Sequence, residues 1–83
     1  MENPSIANQN RAQAGNRWII RVYLLSGGDP QVYNNVKHVW WSAGGTVLEL
    51  LQYYPDGSYR YENWPREHVY HYTRTLDEEN SNT

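Results

Sequence analysis

The sequence predicts a mainly β fold: a small antiparallel sheet or partly closed barrel of four to five strands. Short runs rich in β-branched and aromatic residues alternate apolar with polar side chains, which is the period of a half-buried strand. Glycine pairs and a Pro-Asp-Gly sequence separate these runs, and such residues accept the backbone angles of tight turns. Four Trp and eight Tyr but no Phe supply the rings, so each ring carries a polar tip suited to a half-exposed surface.

The first predicted strand covers Arg17–Leu25. Alternation places two sets of side chains on opposite faces: Trp18, Ile20, Val22 and Leu24 on one, and Arg17, Ile19, Arg21 and Tyr23 on the other. Ser26–Pro30 then ends the strand because Gly and Pro favour turns, and we expect the loop to continue through Asn34-Asn35.

The second and third predicted strands are Val36–Ser42 and Thr46–Tyr54, joined by a hairpin at Ala43-Gly44-Gly45. In the second strand, alternation puts His38 and Trp40 on one face and Lys37, Val39 and Trp41 on the other. Leu and Glu would also allow a helix in the third segment. Its short length between Gly-Gly and Pro-Asp-Gly favours a strand.

A turn at Pro55–Ser58 leads into a fourth predicted strand, Ser58–Asn63. Trp64–Glu67 is a second break, with a helical turn predicted over Pro65–Glu67 because proline suits the first position of a helix. The β-branched and aromatic content of His68–Leu76 predicts a last strand. The competing interpretation is a short helix from Pro65 to about Thr73.

The chain is long enough for a single domain, predicted over residues 17–76. Met1–Asn16 and Asp77–Thr83 have no hydrophobic period, so we expect disordered tails on either side. A lone core in about sixty residues is marginal. We therefore expect a homo-oligomer.

Composition excludes several classes of function. Residues 17–76 hold six basic side chains against five acidic ones, which is far from the basic surface of a dedicated DNA-binding protein. There is no Cys, no apolar run long enough to span a membrane and no signal-peptide pattern at the N-terminus. We expect a cytoplasmic protein.

Within Leu48–Tyr72, the turn Asp56-Gly57-Ser58 precedes Tyr59-Arg60-Tyr61, which Pro65 and then Val69-Tyr70 follow. This order resembles the small KTSC-type domains, which have a strand, a Gly-Ser turn, a Tyr-x-Tyr strand, a Pro and a Val-Tyr segment. The resemblance implies a small β-rich module and transfers no catalytic residue.

The sequence gives little support for catalysis. His38, His68 and His71 have no Cys or carboxylate at a ligand spacing, so we expect no metal. The serines at turns lack a nucleophile-elbow context, and an acid such as Glu49 in an apolar strand more often faces solvent than acts as a base. We predict a protein that is not an enzyme and needs no cofactor.

The remaining signal is aromatic rings beside basic groups, a combination that suits planar anions or aromatic, acidic protein patches. The candidate binding residues are Arg21, Tyr23, Lys37, Trp41, Arg60 and His71. If the first two strands are neighbours, we expect Trp41, Lys37, Arg21 and Tyr23 on one outer surface and Trp40 in the core. The competing interpretation is that the rings fill only the core and a subunit interface.

The first functional hypothesis is a homo-oligomeric binding protein for a partner protein or a nucleotide-like ligand. A phage- or mobile-element-encoded inhibitor that sequesters a host factor or nucleotide signal would have this size and simplicity. The alternative is a single-stranded nucleic-acid binding module, which the near-neutral charge disfavours. A small enzyme is the third hypothesis.

Overall fold

A computed structural model describes residues 15–79 of the chain. Its five strands are β1 Trp18–Leu24, β2 Gln31–Ser42, β3 Val47–Tyr53, β4 Tyr59–Pro65 and β5 Val69–Leu76. All neighbours are antiparallel, in the order β4-β3-β2-β1-β5. The predicted mainly β fold is confirmed as one sheet. The sheet does not close into a barrel, because β4 and β5 form its two edges and do not pair with each other.

Strand β2 is long and serves two partners. Its first half pairs with β1, from Gln31 to Val36, and its second half pairs with β3, from Val36 to Ser42. The strand begins five residues before the predicted start at Val36, so the expectation of a loop through Asn34-Asn35 is wrong. The backbone of this polar segment forms hydrogen bonds with β1, and the local sequence gives no sign of that pairing.

Two register shifts bend β2 near its middle. Within the first shift, which lies between Tyr33 and Val36, Asn35 has a φ of 57°, a left-handed conformation that Asn tolerates better than most residues. A bulge places two residues opposite one on the neighbouring strand, so the faces of all later residues are exchanged. The second shift, between Val36 and His38, decides which face each tryptophan of β2 occupies.

The sheet buries one face, which we call the core face. Its fully buried side chains come from β1, β2 and β3: Ile20, Val22, Val36, Leu48 and Leu50. They form one cluster with Val69 although β1 and β3 are not neighbours, so the sheet bends about β2 and covers its own apolar side. Across this face the Trp64 indole N–H donates to the Tyr33 hydroxyl at 2.9 Å. The opposite side is the outer face.

The predicted turn chemistry is confirmed at Pro55–Ser58. The Asp56 carboxylate accepts hydrogen bonds from the Ser58 amide at 2.9 Å and from the Ser58 hydroxyl at 2.6 Å, while Gly57 adopts a φ of 90°. These bonds lower the pKa of Asp56 below its ordinary value. A 3-10 turn forms at Arg66–His68, one residue later than predicted, because Trp64 and Pro65 continue β4 beside β3.

The ends of the domain are tied together. The Asp77 amide donates to the Arg17 carbonyl at 2.8 Å, and the Asp77 carboxylate accepts from the Asn35 amide at 3.3 Å. Both Arg17 and Asp77 are 4% exposed, so the packed domain includes Asp77, which the sequence assigned to the tail. Burial lowers the pKa of Arg17. Of the predicted tails, residues 1–14 and 80–83 lie outside the described residues.

Between residues 15 and 79, the structure contains no helix with the length and apolar character needed to cross a bilayer.

Candidate functional site

A groove of about 570 Å³ opens where the ends of β1 and β2 meet the 3-10 turn and the start of β5. Its apolar and aromatic lining is Leu25, Trp41, Val69, Tyr70 and Tyr72, and its polar lining is Arg66, Glu67 and His71. The volume falls in the range of ligand-binding clefts. Large side chains remain open to solvent here, since Leu25 is 61% exposed and Tyr70 is 68% exposed.

Backbone hydrogen bonds hold the 3-10 turn against two neighbouring segments. The Leu25 amide donates to the His68 carbonyl at 3.0 Å, and the Arg66 amide donates to the Thr46 carbonyl at 2.8 Å. The Arg66 guanidinium also donates to the Gly45 carbonyl at 3.3 Å. These bonds fix where the Arg66 side chain leaves the backbone, so one wall of the groove is built before any ligand arrives.

Trp41 contributes an aromatic ring to the lining of this groove, close to a cation and to a second ring. The Arg66 guanidinium lies 5.3 Å from the centroid of the Trp41 ring, and the Tyr72 ring lies 6.4 Å from it. A cation over an indole contributes ~0.5–1 kcal/mol at an exposed site. Trp41 is nevertheless 37% exposed, so part of its ring is free to contact a ligand.

The predicted faces of the two tryptophans in β2 are inverted. Trp41 pairs with Leu48 and lies on the core face, whereas Trp40 pairs with Glu49 and lies on the outer face. The cause is the bulge between Val36 and His38, which strict alternation cannot anticipate. Trp41 therefore does not share an outer surface with Lys37, Arg21 and Tyr23.

The six predicted binding residues are spread over both faces. Trp41 and His71 both line the groove, and Tyr23 stacks on His71 with 4.5 Å between ring centroids. The other three lie elsewhere: Arg21 donates to the Thr75 hydroxyl, Lys37 lies 5.0 Å from the Tyr53 ring, and Arg60 forms a 2.7 Å ion pair with Glu62. The structure thus places two of the six in the lining of one groove, and a third, Tyr23, behind His71.

Sequence reasoning missed six groove residues: Leu25, Arg66, Glu67, Val69, Tyr70 and Tyr72. Arg66 follows Trp64-Pro65, and a basic residue after an aromatic-proline break was an available signal. No local pattern relates Leu25 or Trp41 to this break, because they reach it only through pairing of β1 and β2 with other strands.

A second aromatic surface lies on the outer face of β2, β3 and β4. We call it the outer aromatic row, formed by His38, Trp40, Tyr53, Tyr59 and Tyr61. Successive rings along the row are 5.9–6.5 Å apart. Tyr59 is 62% exposed and Tyr61 is 54% exposed, so the row presents rings to solvent.

Among residues 15–79, no group of three or more His, Cys, Asp or Glu side chains is arranged to hold a metal ion. The groove offers one guanidinium and one carboxylate beside its rings.

The chain matches no protein-family model, and no curated protein or solved structure is similar to it at a significant level. The resemblance to KTSC-type domains stays a prediction.

Proposed function

We propose that this protein is a non-enzymatic binding protein whose groove takes an extended segment of a partner protein. The observation that carries the proposal is the partly exposed Trp41 ring in the groove lining, which contacts both the Arg66 guanidinium and the Tyr72 ring. Grooves lined by aromatic rings recognise extended, proline-rich segments, whose backbone is already ordered before binding. Val69 and Leu25 add aliphatic surface to the lining of the groove.

The charges of the groove favour a protein segment over a nucleotide-like ligand. Tight phosphate binding rests on several charge-assisted hydrogen bonds, often bidentate ones from arginine. Here Arg66 is the basic side chain of the groove, and the Glu67 carboxylate follows it directly in the lining. A segment with apolar residues against Trp41 and one acidic residue near Arg66 satisfies both the rings and the charges.

We also propose that the protein acts as a homo-oligomer. The packed domain is small, and the outer aromatic row leaves Tyr59 and Tyr61 more than half exposed. Tyrosine and tryptophan are enriched in protein interfaces, where an apolar ring and a polar tip are both useful. Self-association would remove these rings from water without blocking the groove, which opens elsewhere on the sheet.

The groove is tested by titrating the labelled protein with a twelve-residue proline-rich peptide carrying one Asp, followed by amide NMR shifts. We expect shifts at Val69–Tyr72 and at Trp41, and a loss of affinity of tenfold or more in Trp41→Ala. Tyr59→Ala, on the outer face, is the matched aromatic control and should bind the peptide normally. Adenosine monophosphate and a single-stranded oligonucleotide are titrated in parallel. Tighter binding of either at Arg66 than of any peptide would contradict the proposal.

A further inference from the structure

The outer face of β2, β3 and β4 combines exposed rings with charges of both signs. Besides the outer aromatic row, its charged side chains on these three strands are Lys37 and Glu49. The Lys37 ammonium lies 5.0 Å from the Tyr53 ring centroid, toward one end of the row. Glu49 pairs across the sheet with Trp40 and with Asn63, toward the other end. Within residues 15–79, neither Lys37 nor Glu49 forms a salt bridge.

We propose that two copies of this chain pair through this face, with Lys37 of each copy opposite Glu49 of the other. A two-fold axis brings residue i to residue j and j to i, so one cation and one anion on a single face form two matched pairs. The charges of this part of the face cancel, so a second copy meets attraction rather than net repulsion. The proposal rests on the self-association proposed above and is independent of the groove.

The arrangement of rings fits face-to-face packing of two sheets. Such sheets pack about 10 Å apart with interdigitating side chains. Tyr59 and Tyr61 stand out from β4 with more than half of their surface in solvent, so a second sheet would cover them. Lys37 and Glu49, on either side of the row, would then set the register of one copy on the other.

Charge reversal tests the pairing directly. The association of wild-type protein, Lys37→Glu, Glu49→Lys and the double variant is measured by sedimentation velocity between low micromolar and high micromolar concentration. We expect a wild-type dimer, with dimerisation weakened tenfold or more in each single variant because like charges then face each other. The double variant restores opposite charges and should dimerise within about threefold of wild type. An equimolar mixture of the two single variants should form a heterodimer.

Matched controls change the same charge elsewhere. Arg74→Glu lies on β5 opposite the buried Ile20, on the core-face side of the sheet, and Glu79→Lys follows β5, so both should dimerise as wild type does. Lys37→Gln and Glu49→Gln replace the reversals if thermal melting shows that a reversal unfolds the protein. A wild-type monomer at every concentration overturns both the self-association and this surface. A wild-type dimer that the reversals leave unchanged, or a double variant that does not recover, overturns the surface alone.

Discussion

At the scale of single residues, the clearest polar constraint on the core face is the contact between Tyr33 and Trp64. The Tyr33 hydroxyl accepts the Trp64 indole N–H at 2.9 Å in a half-buried position. Burial is the main cause that raises the pKa of Tyr33 above its ordinary value of 10.0. The folded state therefore favours the neutral phenol. Its contribution to stability is fully present below the pKa of the unfolded chain and is lost as pH rises through the folded pKa.

We expect wild-type protein to lose stability above about pH 10, where unfolded tyrosine ionises. Tyr33→Phe cannot ionise at this position, so its free energy of unfolding should fall less steeply between pH 8 and pH 11. Urea unfolding at both pH values measures the difference. Tyr70→Phe changes a side chain that is 68% exposed and lies away from the outer aromatic row, so it should keep the wild-type slope. Identical slopes for wild type and Tyr33→Phe would remove Tyr33 as the source of the effect.

Leu50 tests the buried cluster. It is 0% exposed between Val39 of β2 and Glu62 of β4, so Leu50→Ala removes buried methyl groups and leaves a cavity. We expect a loss of ~2–5 kcal/mol in the free energy of unfolding, measured by urea denaturation. Leu25→Ala makes the same chemical change at a position that is 61% exposed, and it should cost well under half as much. Equal costs would contradict the position of the core.

At the scale of elements, the bends of β2 control the geometry of both surfaces. The bulge before His38 turns Trp41 toward the groove and Trp40 toward the outer aromatic row. Asn35 precedes this bulge and supports the first bend in two ways. Its backbone is left-handed, and its backbone amide donates a hydrogen bond to the Asp77 carboxylate. A residue that resists this conformation should therefore weaken the whole sheet.

Asn35→Val places a β-branched residue at a φ of 57°, where its side chain crowds the backbone. We expect a loss of ~1–2 kcal/mol in the free energy of unfolding, measured by urea denaturation. Asn35→Gly accepts the same φ and should stay within about 0.5 kcal/mol of wild type. Asn63→Val, in the regular part of β4, is the control for the chemical change and should be neutral or stabilising. If Asn35→Val proved as stable as wild type, the left-handed conformation of residue 35 would be contradicted.

At the scale of the whole molecule, the first and last strands are joined beyond their ladder. The bonds from Asp77 reach Arg17 next to β1 and Asn35 inside β2, so one residue near the end of the domain links three segments. These hydrogen bonds make Asp77 part of the packed domain, so the boundary of the domain lies after Asp77. Glu78 and Glu79 come directly after Asp77 and are exposed.

Two truncated chains locate this boundary. A chain ending at Glu79 keeps Asp77 and should melt within about 2 °C of the full chain. A chain ending at Leu76 loses the Asp77 bonds, at a cost of ~1–3 kcal/mol, which lowers Tm by more than about 4 °C in a domain this small. Thermal melting by circular dichroism compares them. Equal melting temperatures for the two truncated chains would show that Asp77 does not stabilise the domain.

Much of the fold followed from local signals, because the responsible forces act between near neighbours. The bounds of β1 and β5 and the Pro55–Ser58 turn were predicted within one or two residues. Gln31–Asn35 was not, since its polar sequence becomes a strand only when β1 provides hydrogen-bond partners. Trp64 and Pro65 were assigned to a break for the same reason, although pairing with β3 keeps them in β4.

The sequence by itself determined a mainly β domain, its turns, and a surplus of Trp and Tyr beyond what a small core needs. Only the tertiary structure decided where those rings go. A bulge exchanges the faces of a strand, and its position depends on the register with β3 rather than on the residues of β2. The groove likewise exists because Trp41, Arg66 and Tyr72 are brought together by strand order, in which β5 pairs with β1, the strand farthest from it in the sequence.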